Sequence, residues 1–562
     1  MSPLTPTQRD IVADLEANLI VTSGAGCGKT LVLVERYIRF LEQDLDLPLQ
    51  HLAAITFTEN AAAEMRQRIR EACRQEVAKA RRQGDAHRAS RWRTRYWDVD
   101  VAPIDTIHGF CAGLLRRYPI EAGVDPNFAL LDEAESALLQ EDVVAATVET
   151  ILEAEDTDLL AVLEHHDLLQ TREMLATVLA EKREVLHRVA APVMDESDEA
   201  ILRRLQKAID ETALEGLRAW LEDPIIRDSL ATLKSLAGAA EDKREQCRAE
   251  AVDQSARLAA ARTAATARAA AEWLAEHIDL RPGSAARWPS EEAFKATKAA
   301  LATVRDAIRK VLKTLPAYDE DAERKHLAAA RAFYRTARRV MEAYEAAKRD
   351  RSALDFEDLQ ILARDLLRNP HHPQVLKDCR RRFRAILVDE LQDTNFLQFE
   401  IVDLLVSGEA RRGRAPLRRG ALFGVGDPKQ SIYRFRGAEF EVFRAALDRI
   451  KPRGRKHLQE SWRLHDGTAA LANHLFPPLM GDLYEPIEGR QKILNEAVGE
   501  WRIVRSPDAE PLDAETGQMQ EAMGLAARLQ EIVKKKAVTV RGDGGKARPA
   551  RYGDVAILLR RM

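Results

Sequence analysis

The chain has 562 residues and a formal net charge of −4, from 86 Lys and Arg against 90 Asp and Glu, and 46% of its residues are hydrophobic. That length exceeds one ordinary core and predicts two to four domains. The balanced charge excludes a uniformly basic, histone-like protein but leaves room for local basic tracks. With 27 Gly and 22 Pro, collagen-like and linker-dominated architectures are excluded too. The cysteines Cys27, Cys73, Cys111, Cys247 and Cys379 are scattered and never spaced as Cys-x-x-Cys. This argues against a disulfide framework or a zinc site and for a reducing compartment. The N-terminus has no basic stretch followed by an apolar one, and no run approaches the roughly 18 apolar residues of a membrane helix. The expectation is a soluble protein of the cytoplasm.

In chain order, residues 18–22 predict a short apolar strand, 23–28 a Gly-rich loop, and 29–41 a helix with Val32, Val34, Tyr37, Ile38 and Leu41 on its apolar positions. A second strand is expected over 52–57 and a helix over 61–69. Strands alternating with helices predict a parallel α/β sheet. From about 133 to 350 the chain reads as a helical insertion of domain size, and its Ala-rich part, 249–275, has strong helix propensity. The α/β texture returns at 385–388 and 420–425, around a basic loop at 407–420. Strands are expected at 537–540 and 555–559. A chain that stops directly after a strand is expected to be the front part of something longer.

The strongest local signal is Ser23-Gly24-Ala25-Gly26-Cys27-Gly28-Lys29-Thr30. It lies between a predicted strand and a predicted helix, the context a phosphate-binding loop requires. Glycines let backbone N–H groups approach phosphates, and a helix N-terminus favours an anion. Lys29 would reach the β- and γ-phosphates, and the Thr30 hydroxyl would hold Mg2+. Ser23 stands where the strict pattern has Gly. Cys27, near a helix start, is expected to have a lowered thiol pKa and to be open to thiol reagents, without being a nucleophile. The second signal is Ile386-Leu387-Val388-Asp389-Glu390, an apolar strand delivering two carboxylates. Asp389 suits a Mg2+ partner and Glu390 a base for the attacking water. An ordinary solvated strand end is the alternative for this motif alone. The pair of motifs implies an ATPase or GTPase.

Other segments are read more openly. Residues 74–97 mix Arg with Trp92, Tyr96 and Trp97, which fits either a DNA backbone track or a solvated helix pair. The basic stretches 410–419 and 534–536 are either DNA contacts or solvated faces. His165-His166 and His371-His372 lack partners at metal-ligand spacing.

The segments taken in order resemble superfamily 1 DNA helicases of the UvrD/Rep type, and within them the RecB and AddA subunits of recombination helicase–nucleases. Leu4-Thr5-Pro6-Thr7-Gln8-Arg9 resembles the adenine-reading element, with Gln8 on the base edge. Thr56-Phe57-Thr58-Glu59-Asn60-Ala61 resembles motif Ia, which implies that Phe57 and Thr58 lie along single-stranded DNA. Thr106-Ile107-His108-Gly109-Phe110-Cys111 resembles the TIHSFC segment, which places His108 at the DNA, and Gly109 replaces the usual Ser. Leu354-Asp355-Phe356-Glu357-Asp358-Leu359 resembles LDFxDL. Asp389-Glu390-Leu391-Gln392-Asp393-Thr394 resembles DExQDT, with Gln392 coupling the γ-phosphate to the DNA surface. The segment 425–438 resembles motif III: Gln430 and Arg436 would sense the γ-phosphate, and Tyr433 and Phe435 would meet the bases. Glu460-Ser461-Trp462-Arg463-Leu464 resembles motif IV. There Trp462 would stack on adenine and Arg463 would act as the arginine finger, while Ser461 and Leu464 depart from the usual residues. Nothing in the chain resembles motifs V and VI or the nuclease domain.

The resemblance implies a P-loop NTPase of RecA-like α/β fold. Its parts would be 1–130 and 351–450 as the first RecA-like domain, 131–350 as a helical 1B-type insertion, and 451–562 as the start of a second RecA-like domain. It implies ATP and Mg2+, single-stranded and duplex DNA as partners, a second helicase–nuclease subunit, and 3′ to 5′ unwinding in recombination and double-strand break repair. A nucleotide- and DNA-binding half-motor, completed by another chain, is the alternative.

Overall fold

The computed structural model describes residues 4–181, 183–186, 190–408, 415–431, 440–481, 484–492, 513–542 and 546–558. The chain divides into two compact units, one formed by residues 1–130 with 352–562 and the other by 131–351.

The first unit is built on a parallel sheet of six strands: β1 (Leu19–Ser23), β2 (Leu52–Thr56), β3 (Ile104–Thr106), β4 (Ala385–Val388), β5 (Leu422–Gly426) and β6 (Arg455–Leu458). Their spatial order is β3-β2-β4-β5-β1-β6, and every neighbouring pair is parallel. The inner strands are apolar without interruption because both faces are covered. Alternate residues divide between two cores. Ile20, Ile55, Ile386 and Val388 face one, with α4 (Ile107–Arg117), α5 (Phe356–Arg368) and α6 (Phe396–Val406). Val21, Ala54, Leu387 and Val425 face the other, with α1 (Pro6–Ala13), α2 (Lys29–Gln43) and α3 (Glu59–Arg82).

The second unit is helical throughout its described residues, from a helix over Glu133–Glu153 to one over Glu320–Asp350. Leu217, Trp220, Leu233, Leu274, Leu301 and Ile308 form its core. The expected Ala-rich helix is two helices, Lys243–Ala260 and Ala264–Glu276. Thr263 is extended and caps the second by accepting from Thr266 N, which Ala propensity could not reveal.

Three other expectations shift. The helix expected over 61–69 runs from Glu59 to Arg82, because Ala72, Cys73 and Ala80 continue its buried stripe. Residues 555–558 form no strand; a short 3-10 turn at Tyr552–Asp554 precedes them. The first sheet also reaches past residue 451, where a second domain was expected to begin. Arg455 and His457 are partnered with Ile20 and Thr22 of β1. The polar sequence of β6 hid this edge strand, since only one of its sides needs a partner.

Arg36 fixes the start of the chain to this sheet. It is fully buried and donates to Ile11 O at 2.6 Å and Ala17 O at 3.0 Å, with its guanidinium 4.8 Å from the Phe423 ring centroid. Burial lowers its pKa to about 10, so it stays charged at neutral pH. Arg36→Met would leave the buried Ile11 carbonyl and the part-buried Ala17 carbonyl without this donor. It is expected to cost about 2–4 kcal/mol in a urea melt.

Candidate active site

β1, β4 and β5 all end at the same edge of the sheet, and the chain after each carries functional groups. After β1 comes the Gly-rich loop. Gly26 has φ +76° and Gly28 has φ +89°, left-handed values that a side chain strains. A Cβ on Gly26 would lie 2.4 Å from that of Arg463. Gly28 is the N-cap of α2 and offers no side-chain cap, so the first-turn N–H groups are left for an anion. Gln8 forms a reciprocal capping box with Thr5 at the start of α1. Its Nε2 also donates to Cys27 O at 3.2 Å, so the amide braces the loop from behind. The expectation for Cys27 is overturned. The residue is 1% exposed, and burial pushes its thiol up to about 11. Desolvation of the thiolate outweighs the helix start and the nearby lysines.

After β4 come the two carboxylates. Asp389 N donates to Ile55 O at 2.8 Å, which fixes the strand end against β2. Glu390 has φ +48° and ψ +48°, an uncommon conformation for a residue with a side chain. It turns the carboxylate toward the loop, where Lys29 Nζ meets Glu390 Oε2 at 2.7 Å. Gln392 Nε2 donates to Glu390 Oε2 at 2.8 Å and to Asp393 Oδ2 at 3.1 Å, and its Oε1 accepts from Asp427 N at 2.8 Å. Every hydrogen-bonding atom of that amide is therefore engaged. Asp389 is buried, and burial, then the Glu390 charge, pushes its carboxyl up to about 6. Lys29 pairs with Glu390, so the Asp389 oxygens are left to another cation. A hard divalent ion suits an all-oxygen pair of Asp389 and the Thr30 hydroxyl.

After β5, Asp427 is 2% exposed and accepts from Gln430 Nε2 at 2.9 Å, with Lys429 Nζ at 3.6 Å. Gln430 thus lies one hydrogen bond from the Gln392 network. Tyr433, Phe435 and Arg436 lie outside the described residues. The segment 461–463 packs on the loop: Ser461 Oγ donates to Ala25 O at 2.6 Å and Trp462 N to Gly26 O at 3.0 Å. Ile487 covers Gly24. These contacts bring Trp462 and Arg463 to the loop, with both side chains largely exposed. Sequence reasoning assigned no role to Ser461, Ile487 or Asp393. The departure of Ser461 from the family residue was the one available signal.

Phe57 and His108 line a cleft of about 50 Å3 that Asp389 and Glu390 also line. Thr58 is exposed and caps α3 by accepting from Ala61 N at 3.1 Å. His108 Nε2 accepts from Gln360 Nε2 at 2.8 Å and its ring stands edge-on to Phe356, 5.1 Å away. Burial lowers its pKa to about 4, so it is neutral at pH 7. Several basic residues prove to be structural. Arg418 donates to Phe383 O and Leu405 O, and Arg91 to Leu45 O, while Trp92 is fully buried. Trp97 and Lys534, Lys535 and Lys536 remain exposed. Among the described residues no group of His, Cys, Asp and Glu forms a metal cluster, and no helix is long and apolar enough to cross a membrane.

Two outcomes follow from these environments. Above about pH 6 the folded protein holds Asp389 as a buried anion, whereas an unfolded Asp ionises near 3.9. Stability from this group is therefore present at acid pH and lost as pH rises through that window. Asp389→Asn is expected to be more stable than the parent by about 1–3 kcal/mol at about pH 8, with the gap closing towards about pH 4, in paired thermal melts. A thiol-specific reagent at neutral pH should label Cys247, which is only partly buried, well before Cys27. Peptide mapping with Cys27 first would refute the burial argument.

Comparison with known proteins agrees with this geometry. The family described as UvrD/REP helicase N-terminal domain matches residues 4–451. The chain is 27% identical to an ATP-dependent helicase/nuclease subunit of Levilactobacillus brevis, over 99% of this chain and 46% of that protein. Against the Geobacillus kaustophilus protein of the same name it is 28% identical, over 99% of this chain and 47% of that one. For the protein of that name from Staphylococcus carnosus the figures are 27%, 96% and 45%. The chain thus spans about half the length of the curated relatives it matches. Because the family match covers most of its length, the chain belongs to the UvrD/REP helicase family.

Proposed function

We propose that this chain binds ATP at the carboxyl edge of its sheet and couples hydrolysis to movement along DNA. The process served is recombination and double-strand break repair, and the polarity is 3′ to 5′. The observation that carries this reading is the Lys29–Glu390 contact at 2.7 Å, which joins the phosphate loop to the candidate base from the two ends of the first unit.

That contact also suggests how turnover begins. Without nucleotide, Lys29 and Glu390 neutralise each other. The phosphates of ATP, cradled by the N–H groups from Gly26 to Thr30, would draw Lys29 away as the stronger anion. Glu390 is then released beside the γ-phosphate, still aimed by Gln392. It takes a proton from water as the water oxygen bonds to the γ-phosphorus and the bond to the β-phosphate oxygen breaks. Mg2+ on Thr30 and Asp389 would neutralise charge on the phosphates. Arg463, carried to the loop by the Ser461 and Trp462 contacts, is placed to meet charge developing on the transferred group. Gln8 and Trp462 would take the adenine. Gln430 would report the γ-phosphate to Gln392, whose other neighbours reach the cleft lined by Phe57 and His108, the surface proposed for single-stranded DNA. Tyr433, Phe435 and Arg436 are assigned by resemblance alone. The relatives are named as subunits of a helicase/nuclease, which supports a second polypeptide as partner.

The test is ATP hydrolysis with and without single-stranded DNA, beside Lys29→Ala. Stimulation by DNA and a loss of about 100-fold or more in the variant are expected, in line with the role of a phosphate-binding lysine in phosphoryl transfer. Displacement of streptavidin from the 5′ end of a biotinylated strand, and not from its 3′ end, would support the polarity. Nucleotide binding without turnover would favour the half-motor alternative.

A further inference from the structure

Asp393 is nine-tenths buried, yet only one of its oxygens has a partner. Oδ2 accepts from Gln392 Nε2 at 3.1 Å, while Oδ1 is buried without a hydrogen bond. Such an atom is uncommon in a native fold and calls for an occupant or a function. Asp393 lines the cleft of about 50 Å3 shared by Phe57, His108, Asp389, Glu390 and Thr394. A water needs only about 10–15 Å3 of such space and a few polar neighbours. The same Gln392 amide that binds Asp393 also binds Glu390 Oε2, so the two carboxylates share one rigid donor.

We propose that Asp393 is a positioning residue for hydrolysis: it anchors the Gln392 amide that aims Glu390, and its open oxygen binds a water in the cleft beside Phe57 and His108. What fills the cleft then alters the hold of Asp393 on Gln392, and through it the aim of the base. The charges that act on Asp393 are consistent with this. Burial and then Glu390 push its carboxyl up to about 6, against the Gln392 hydrogen bond and Lys29. Asp389 lines the same cleft, and His108, on α4, is neutral there at pH 7. Departure of Lys29 toward ATP phosphates would remove a cation that favours the Asp393 anion. The proposal rests on Glu390 as the base, and it does not require DNA to be the track.

The test compares the chain with Asp393→Asn, which keeps the shape and an acceptor for Gln392 but removes the titrating charge. Asp393→Ser is the second variant should Asn fail to fold. The expected result is a fall of about tenfold in basal kcat, with KM for ATP within about twofold, and a change in the acid limb of the kcat–pH profile, as for a group acting only through the base. A merely structural role would lower stability and leave that limb in place. Unchanged kcat at every pH would overturn the proposal. If the parent hydrolyses ATP but ignores DNA, the motor reading fails while this comparison still decides. If the parent does not turn over, carboxyl infrared spectra decide instead. Of the two carboxyl bands titrating near pH 6, the one that persists in Asp389→Asn should vanish in Asp393→Asn, and the Glu390 band, assigned with Glu390→Gln, should shift. A Glu390 band that does not move overturns the link.

Discussion

The ion pair between Lys29 and Glu390 depends on the parallel order of the sheet. β1 and β4 are separated by most of the chain, with only β5 between them in space. Because all three run the same way, the loop after β1, the carboxylates after β4 and Asp427 after β5 emerge at one edge. The two apolar cores that hold the strands flat against their helices are thus what sets a distance of 2.7 Å across the site. Half-buried ion pairs of this kind seldom add much stability, since desolvation offsets the attraction. On the proposed function its chemical value would lie in being replaceable: a phosphate would take the lysine and leave the glutamate free beside it.

The carboxylates of the site outnumber the cation paired with them. Asp389, Glu390 and Asp393 lie within one turn of chain, and Lys29 is the cation paired among them. Both Asp389 and Asp393 are pushed up to about 6 by burial and by Glu390. This is the cost of concentrating carboxylates in a dry cleft, and it is what a divalent cation would relieve. The positive φ of Glu390 has the same origin. A strained backbone persists where the surrounding hydrogen bonds over-determine it, and here Gln392 is fixed by three partners.

Much of this was legible in the sequence because the relevant signals are local. A strand, glycines and a lysine at fixed spacing specify the loop wherever they occur, and an apolar run ending in Asp-Glu specifies the second strand. The alternation of strands and helices, and the helical insertion, followed from composition and periodicity. What could not be read depends on contacts between distant segments. The thiol of Cys27 looked activated from its place in the loop, but the packing that buries it comes from elsewhere, in a core cluster shared with Ile11, Val425 and Leu458. β6 was hidden because its residues are polar and only its pairing with β1 makes it a strand. Arg418 and Arg91 looked like surface charge, and only the fold shows the carbonyls they satisfy. Asp393 falls inside a recognisable signature, yet nothing in a linear sequence tells that one of its oxygens lacks a partner.

The contacts of residues 461–463 with the loop extend the argument from assembly to motion. Ser461 and Trp462 donate to the carbonyl oxygens of Ala25 and Gly26 in the Gly-rich loop. A hydrogen bond to a carbonyl oxygen does not compete with phosphate for the N–H groups. It restrains the peptide planes of the loop, which would lower the entropy to be lost if a phosphate binds there. The same two residues carry Arg463, so the position of that guanidinium is tied to the shape of the loop. Gly26 makes this possible, since a side chain there would collide with Arg463 itself. A movement of the segment after β6 would therefore be felt at the loop, and a rearrangement of the loop would be felt by that segment. On the proposed function, two hydrogen bonds and one glycine would give this chain a two-way link between nucleotide state and the position of the segment after β6.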